Sequence, residues 1–130
     1  MDVRFHCSRL ARKSLKRSKH RLESYCQTLQ AVLALNPDYG LLVPGWDGLR
    51  KMRLQVPGLN CGKRGGYRLI YRSMIIDDVW HVVFLRAFFK GEMEDLPHRD
   101  YEAIQAESDE ILVNSLEFEW DDFREDSAIQ

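Results

Sequence analysis

The chain opens with strict alternation. In DVRFHC, Val3, Phe5 and Cys7 alternate with Arg4 and His6. Successive strand side chains point to opposite faces, so this pattern predicts a short first strand. Ser8 is placed to cap a helix, its hydroxyl accepting from a spare backbone N–H of the first turn. Over residues 9–35 the period changes. Leu15, Leu22, Cys26, Leu29, Val32 and Leu33 recur at helical spacing, which predicts one long helix or two with a break near residues 18–21. NPDYG ends this section, because Pro37 cannot continue a helix and Gly40 permits a turn.

PGWDG makes a turn, and alternation then returns over residues 49–56. Met52, Leu54 and Val56 point one way there, and Lys51, Arg53 and Gln55 the other. A glycine-rich connection, PGLNCGKRGG, leads into YRLIYRSMII, a second strand of this group. Two aspartates turn the chain into VWHVVFLRAFF, whose apolar body predicts a central strand. After the loop KGEMEDLP, Asp95 or Pro97 opens a helix over about 98–113, with Tyr101, Ile104, Ile111 and Leu112 as its apolar stripe. Short connections make the last three strands antiparallel neighbours. The expected class is α+β: helices cover one face of the sheet and leave the other partly open, with a C-terminal helix and an acidic tail. The expected organisation is one domain over residues 1–113 and a tail over 114–130.

Charge changes this picture more than composition does. The net charge of −1 conceals two halves: residues 1–90 hold 17 Lys and Arg against 6 Asp and Glu, and residues 91–130 hold 2 against 14. Such asymmetry points to a nucleic-acid or membrane partner for the basic part, or to an acidic tail that interacts with it. No run approaches the ~20 apolar residues of a membrane span, so no membrane role is expected. The N-terminus lacks the layout of a secretory signal. Three cysteines, Cys7, Cys26 and Cys61, suit a reducing cytoplasm better than a disulfide scaffold. The basic run Arg9, Arg12, Lys13, Lys16, Arg17, Lys19 and Arg21 reads either as a nucleic-acid patch or as a solvated helix face. The aromatic, acidic end LEFEWDDFREDSAIQ has a strand-like start at Leu116, Phe118 and Trp120. It is suited either to docking on a basic groove or to being a frayed end.

The stretch GKRGGYRLIYR joins a basic glycine-rich loop, carrying Lys63 and Arg64, to a strand with Arg68 and Arg72 on one face. Arg86 and Lys90 share a face of the following strand, as Lys51 and Arg53 do on the preceding one. A meander would gather them into a basic patch on the face without helices. A guanidinium is planar, stays charged and grips two phosphate oxygens at once. Arg86 has a second reading, as an ion-pair partner of a carboxylate. The four histidines show no zinc spacing, GKRGG is not a P-loop, and no metal or cofactor is expected.

In order and spacing, GLRKMRLQVPG, GKRGGYRLIYR and FLRAFFKGEMEDLPHRDYEAI resemble the RelE/ParE superfamily of toxins, nearest to the RelE/HigB-like branch of type II toxin–antitoxin modules. The resemblance covers about residues 47–104, and the fold it implies is a small twisted antiparallel sheet packed on N-terminal helices. It implies a metal-independent endoribonuclease that cuts messenger RNA, commonly on the ribosome, by attack of the RNA's own 2′-hydroxyl on the adjacent phosphate. It also implies a cognate antitoxin as partner. Arg68 matches the arginine set against the scissile phosphate, Lys51 and Arg53 the basic pair before it, and Lys90 the lysine ending the last core strand. Within this reading Arg86 joins Arg68 and Lys90 as a catalytic candidate, and Lys63, Arg64 and Arg72 join Lys51 and Arg53 as RNA contacts. The chain departs from the pattern at Gly91, where some members have arginine, and lacks a clear match to a tyrosine near the start of the last helix. His98, with an imidazole's unperturbed pKa of about 6.5, and Tyr101 stand nearby as acid–base or RNA-contacting candidates. Two alternatives stay open: a ParE-like gyrase inhibitor, and a non-catalytic module that binds RNA or an antitoxin.

Overall fold

The computed structural model describes residues 2–17, 26–54, 66–89 and 95–117. Among the described residues eight elements follow in order: β1 (Asp2–Cys7), α1 (Arg9–Arg17), α2 (Cys26–Leu35), β2 (Leu41–Leu42), β3 (Leu49–Leu54), β4 (Tyr67–Ile76), β5 (Val79–Phe89) and α3 (His98–Glu117). The α+β class and the β3–β4–β5 meander stand as expected. The region of the expected helix break, residues 18–21, and the last two residues of the strand expected over 49–56 lie outside the described residues. The C-terminal helix reaches Glu117, so Leu116 is helical where its alternation suggested a strand; residues 118–130 lie outside the described ones.

The sheet has the order β1-β5-β4-β3-β2. It is mixed, not antiparallel as expected: β1 pairs parallel with β5, while the other pairings are antiparallel. Parallel neighbours require a long crossover, and here everything from Ser8 to Asp78 forms it. Alternation within β1 carries no information about the direction of its partner, so this pairing was invisible in the local pattern.

Both sheet faces are covered. On one, Met52, Leu54, Tyr67, Leu69, Tyr71, Val82 and Phe84 meet Ala11 and Leu15 of α1 and Leu29 and Leu33 of α2. On the other, Leu49, Ile70, Val83 and Leu85 meet Tyr101, Ile104 and Leu112 of α3. Spacings of three, then eight, keep these α3 residues on one stripe. The face expected to be partly open therefore carries α3, whose apolar stripe needs a sheet to cover it.

Three local devices hold this frame. Asp77 and Asp78 adopt φ of 51° and 63° between Ile76 and Val79, the two left-handed residues of a type I′ hairpin. A bulge in β5 pairs Ile70 with Arg86 but Tyr71 with Phe84, leaving Leu85 out of the ladder. Ser8 compensates: its hydroxyl donates to the Leu85 carbonyl at 3.2 Å while accepting the Ala11 N–H at 3.1 Å, the expected cap of α1. Gly40 lies against Tyr71, and a Cβ there would stand 2.9 Å from the tyrosine ring. This approach lets the Gly40 N–H donate to the fully buried Tyr71 hydroxyl at 2.7 Å. Tyr71→Phe leaves that amide unsatisfied and is expected to lower unfolding free energy by about 1–2 kcal/mol in urea titrations.

On the neighbouring strands β1 and β5, His6 and His81 are buried (2% and 1% exposed), stacked within 10° of parallel, with His6 Nε2 3.1 Å from His81 Nδ1. Burial, and then His81, push the His6 imidazole down from 6.5 to about 4; burial, and then Arg4, also lower His81. The pair is thus neutral at neutral pH. Because the unfolded chain takes up the His6 proton first, this contribution is complete above about pH 6.5 and is lost as pH falls towards about 4. The loss attributable to His6 is about 3 kcal/mol. Urea titrations near pH 7.5 and about pH 4.5 should show it, with a shallower dependence in His6→Gln. An unchanged pH dependence in that variant would contradict the account.

No helix among the described residues is long and apolar enough to cross a membrane. The β2 edge is apolar and open: Leu41 is 80% exposed, and Leu35 and Tyr39 before it are also exposed.

Candidate functional site

Strand register sorts the cations. Arg53 pairs with Arg68, Lys51 with Ile70, and Leu49 with Arg72, all on the α3 face. The bulge returns Arg86 to the same face, opposite Ile70. The gathering expected from the sequence is therefore present for Lys51, Arg53, Arg68, Arg72 and Arg86. Lys63, Arg64 and Lys90 lie outside the described residues.

What α3 brings to this face divides the group. Arg72 is 3% exposed. Its Nη2 lies 2.8 Å from Asp47 Oδ2, and its Nη1 donates to Ser108 Oγ at 3.0 Å and pairs with Asp109. Arg86 grips Glu107 with both guanidinium nitrogens, at 2.9 and 2.5 Å, and donates to the Leu85 carbonyl at 2.7 Å. The RNA-contacting role expected for Arg72 and the catalytic role expected for Arg86 thus meet guanidiniums committed to α3. For Arg86, this is the ion-pair reading. Tyr101, expected to touch RNA, is 5% exposed and its hydroxyl donates to Asp95 Oδ1 at 2.6 Å.

Lys51 is only partly committed. Its Nζ lies 3.2 Å from Asp95 Oδ2, with a third of the side chain exposed. Burial alone would raise the Asp95 carboxyl, but hydrogen bonds from Tyr101, the Leu96 amide and Lys51 hold it below the usual range. Tyr101 is pushed up by burial and then by Asp95, so its hydroxyl stays protonated.

Arg53 and Arg68 stand directly opposite each other in the β3–β4 ladder. Arg53 is exposed and Arg68 is 9% exposed, with Nη1 donating to the Tyr67 carbonyl at 3.3 Å. Burial, and then Arg53, lower the Arg68 pKa. An arginine stays protonated under such pressure, so the effect appears as electrostatic cost. Like charges directly opposite across a ladder destabilise it. Each guanidinium is chemically suited to an anion, which it can meet with charge-assisted, two-pronged hydrogen bonds. The row sits at one end of the β3–β4–β5 unit, where Leu54, Tyr67 and Phe89 stand in mutual register.

His98 opens α3 with 77% of its side chain exposed. Its Nε2 is 3.3 Å from Glu102 Oε1 and its ring is 5.1 Å from Trp46. Among the described residues no group of three or more His, Cys, Asp or Glu could hold a metal ion.

Sequence reasoning missed the acidic partners Asp47, Asp95, Glu107 and Asp109, and missed Trp46 altogether. A signal for the carboxylates existed in the opposite charge of the two halves, since α3 brings part of the acidic half onto the basic sheet. For Trp46 the only sign was a lone aromatic inside a turn. No protein-family model matches the chain.

Proposed function

We propose that the chain is an RNA endonuclease of the toxin kind, with the Arg53–Arg68 row as its phosphate-binding centre. The observation that carries this reading is two guanidiniums held in register, one buried, on the face that the RelE-like resemblance assigns to the scissile phosphate. In this reading, the 2′-hydroxyl of one nucleotide attacks the adjacent phosphorus and gives its proton to a base. The P–O5′ bond then breaks, and the leaving oxygen takes a proton from an acid. Arg68 and Arg53 would neutralise the extra charge on the crowded phosphate, and Lys51, steered by Asp95, would hold a neighbouring non-bridging oxygen.

Proton transfer falls to fewer groups than the sequence suggested. Tyr101 is a poor base, because its hydroxyl is given to Asp95 and its pKa is raised. Of the described histidines, His6 and His81 are buried together, which leaves exposed His98 as the candidate. A second reading, a non-catalytic RNA-binding module, is favoured by the commitment of Tyr101 and Arg86 to internal partners. The antitoxin implied by the resemblance would find an open apolar edge at Leu41 and Leu42.

The test adds purified protein to a translation reaction and maps messenger RNA ends. The expected products carry a 2′,3′-cyclic phosphate on one side and a 5′-hydroxyl on the other, with cleavage unaffected by a chelator. Intact RNA together with blocked gyrase supercoiling would replace this reading with the ParE-like one. Intact RNA that is nevertheless bound would leave the binding module.

A further inference from the structure

The loop between β2 and β3 is built to hold one aromatic ring in place. Gly45 and Gly48, at φ of 86° and 73°, flank Trp46 and Asp47. A side chain at either glycine would be strained. The loop is anchored at several points. The Val43 amide donates to the Leu49 carbonyl at 2.9 Å, and the Gly48 carbonyl accepts the Ser73 amide at 3.2 Å. The Asp47 amide donates to Gln105 Oε1 at 3.2 Å, and the Asp47 carboxylate holds Arg72. The indole between these anchors is partly exposed. It stacks 6.0 Å from the Tyr101 ring, at 23°, and lies 5.1 Å from exposed His98.

This aromatic group is continuous with the cation row. Tyr101 donates to Asp95, Asp95 pairs with Lys51, and Arg53 is the next β3 residue on that face, opposite Arg68. Same-face strand neighbours stand about 7 Å apart. A partly exposed indole at one end of the strip and paired guanidiniums at the other are the two elements by which proteins hold single-stranded nucleic acid: stacking for a base and charge for the backbone.

We propose that Trp46, flanked by His98, is a stacking platform for one nucleobase of the single-stranded RNA whose phosphate lies at Arg53 and Arg68. This rests on the reading given under Proposed function and adds to it a base subsite. Stacking on an indole face tolerates any base, so the platform supplies affinity and register more than sequence choice. Tyr101 and Asp95 then serve as the support that fixes indole and Lys51 relative to each other.

The test uses the whole chain and a single-stranded RNA of about six nucleotides, intact or with one abasic position at a time. Wild type should lose about tenfold in affinity at one abasic position, Trp46→Leu should lose about the same with intact RNA, and the two losses should not add. Trp46→Phe, which keeps a ring and most of the packing, should bind within a few-fold of wild type. The salt dependence of Trp46→Leu should match wild type, because no phosphate contact is removed. Fully additive losses, or wild-type affinity in a folded Trp46→Leu protein, would overturn the platform and leave the indole as a cover for α3. Absence of RNA binding by wild type would instead overturn the phosphate site itself, and the platform with it.

Discussion

Arg68→Ala is expected to lower single-turnover RNA cleavage by about 10²–10³-fold, the range seen when one preorganised donor to developing charge is removed. The argument is differential. The phosphate gains charge on the way to the transition state, and a guanidinium already desolvated and pressed against Arg53 meets that charge with little reorganisation. Arg68→Lys should recover only part of the loss, since an ammonium keeps the charge but not the planar fork. Neither change should unfold the protein. Truncation at this 9% exposed position loses packing but also relieves repulsion from Arg53. Circular dichroism and urea titration check the fold, and cleavage under excess protein checks the chemistry. Full activity in a folded Arg68→Ala protein would remove the proposed role.

The second large effect is on stability. Arg72→Ala is expected to lower unfolding free energy by about 3 kcal/mol, towards the lower end for breaking a buried ion pair. Three groups on two segments lose a partner at once: Asp47 on the β2–β3 loop, and Ser108 and Asp109 on α3. The two carboxylates are more than half exposed and can rehydrate, which keeps the loss from being larger. Arg72→Met, which retains most of the apolar stem, should lose about 1 kcal/mol, because the guanidinium's own burial is costly and its Nε makes no hydrogen bond. Urea titration of both variants measures this. Equal stability of Arg72→Ala and wild type would show that the α3 contact is not held through this arginine.

The contrast between Arg68 and Arg72 shows how far the sequence was legible. Both occupy the same face of one strand, four residues apart, and alternation placed them correctly. What separates them is α3, which covers Arg72 with Ser108 and Asp109 while Arg68 stands opposite Arg53. Alternation reports a face within a strand; it does not report which helix crosses that face. The parallel β1–β5 pairing escaped for a related reason, since it joins residues 77 apart. By contrast, the Ser8 cap, the two-aspartate hairpin and the meander were legible because each depends on near neighbours. The charge asymmetry points either to an outside partner or to the chain's own acidic tail meeting the basic part. Part of it is spent inside the fold, where Glu107, Asp109 and Asp95 of the acidic half meet Arg86, Arg72 and Lys51 of the basic half.

The central claim is that RNA phosphate is held by the Arg53–Arg68 row and not by the whole basic face. The most direct measurement is the salt dependence of binding to a short single-stranded RNA, compared between wild type and Arg68→Ala. The account predicts weaker binding at low salt and a log–log slope shallower by about 0.7, the value for one lost phosphate contact on a single strand. Identical affinity and identical slope in the two proteins would contradict it.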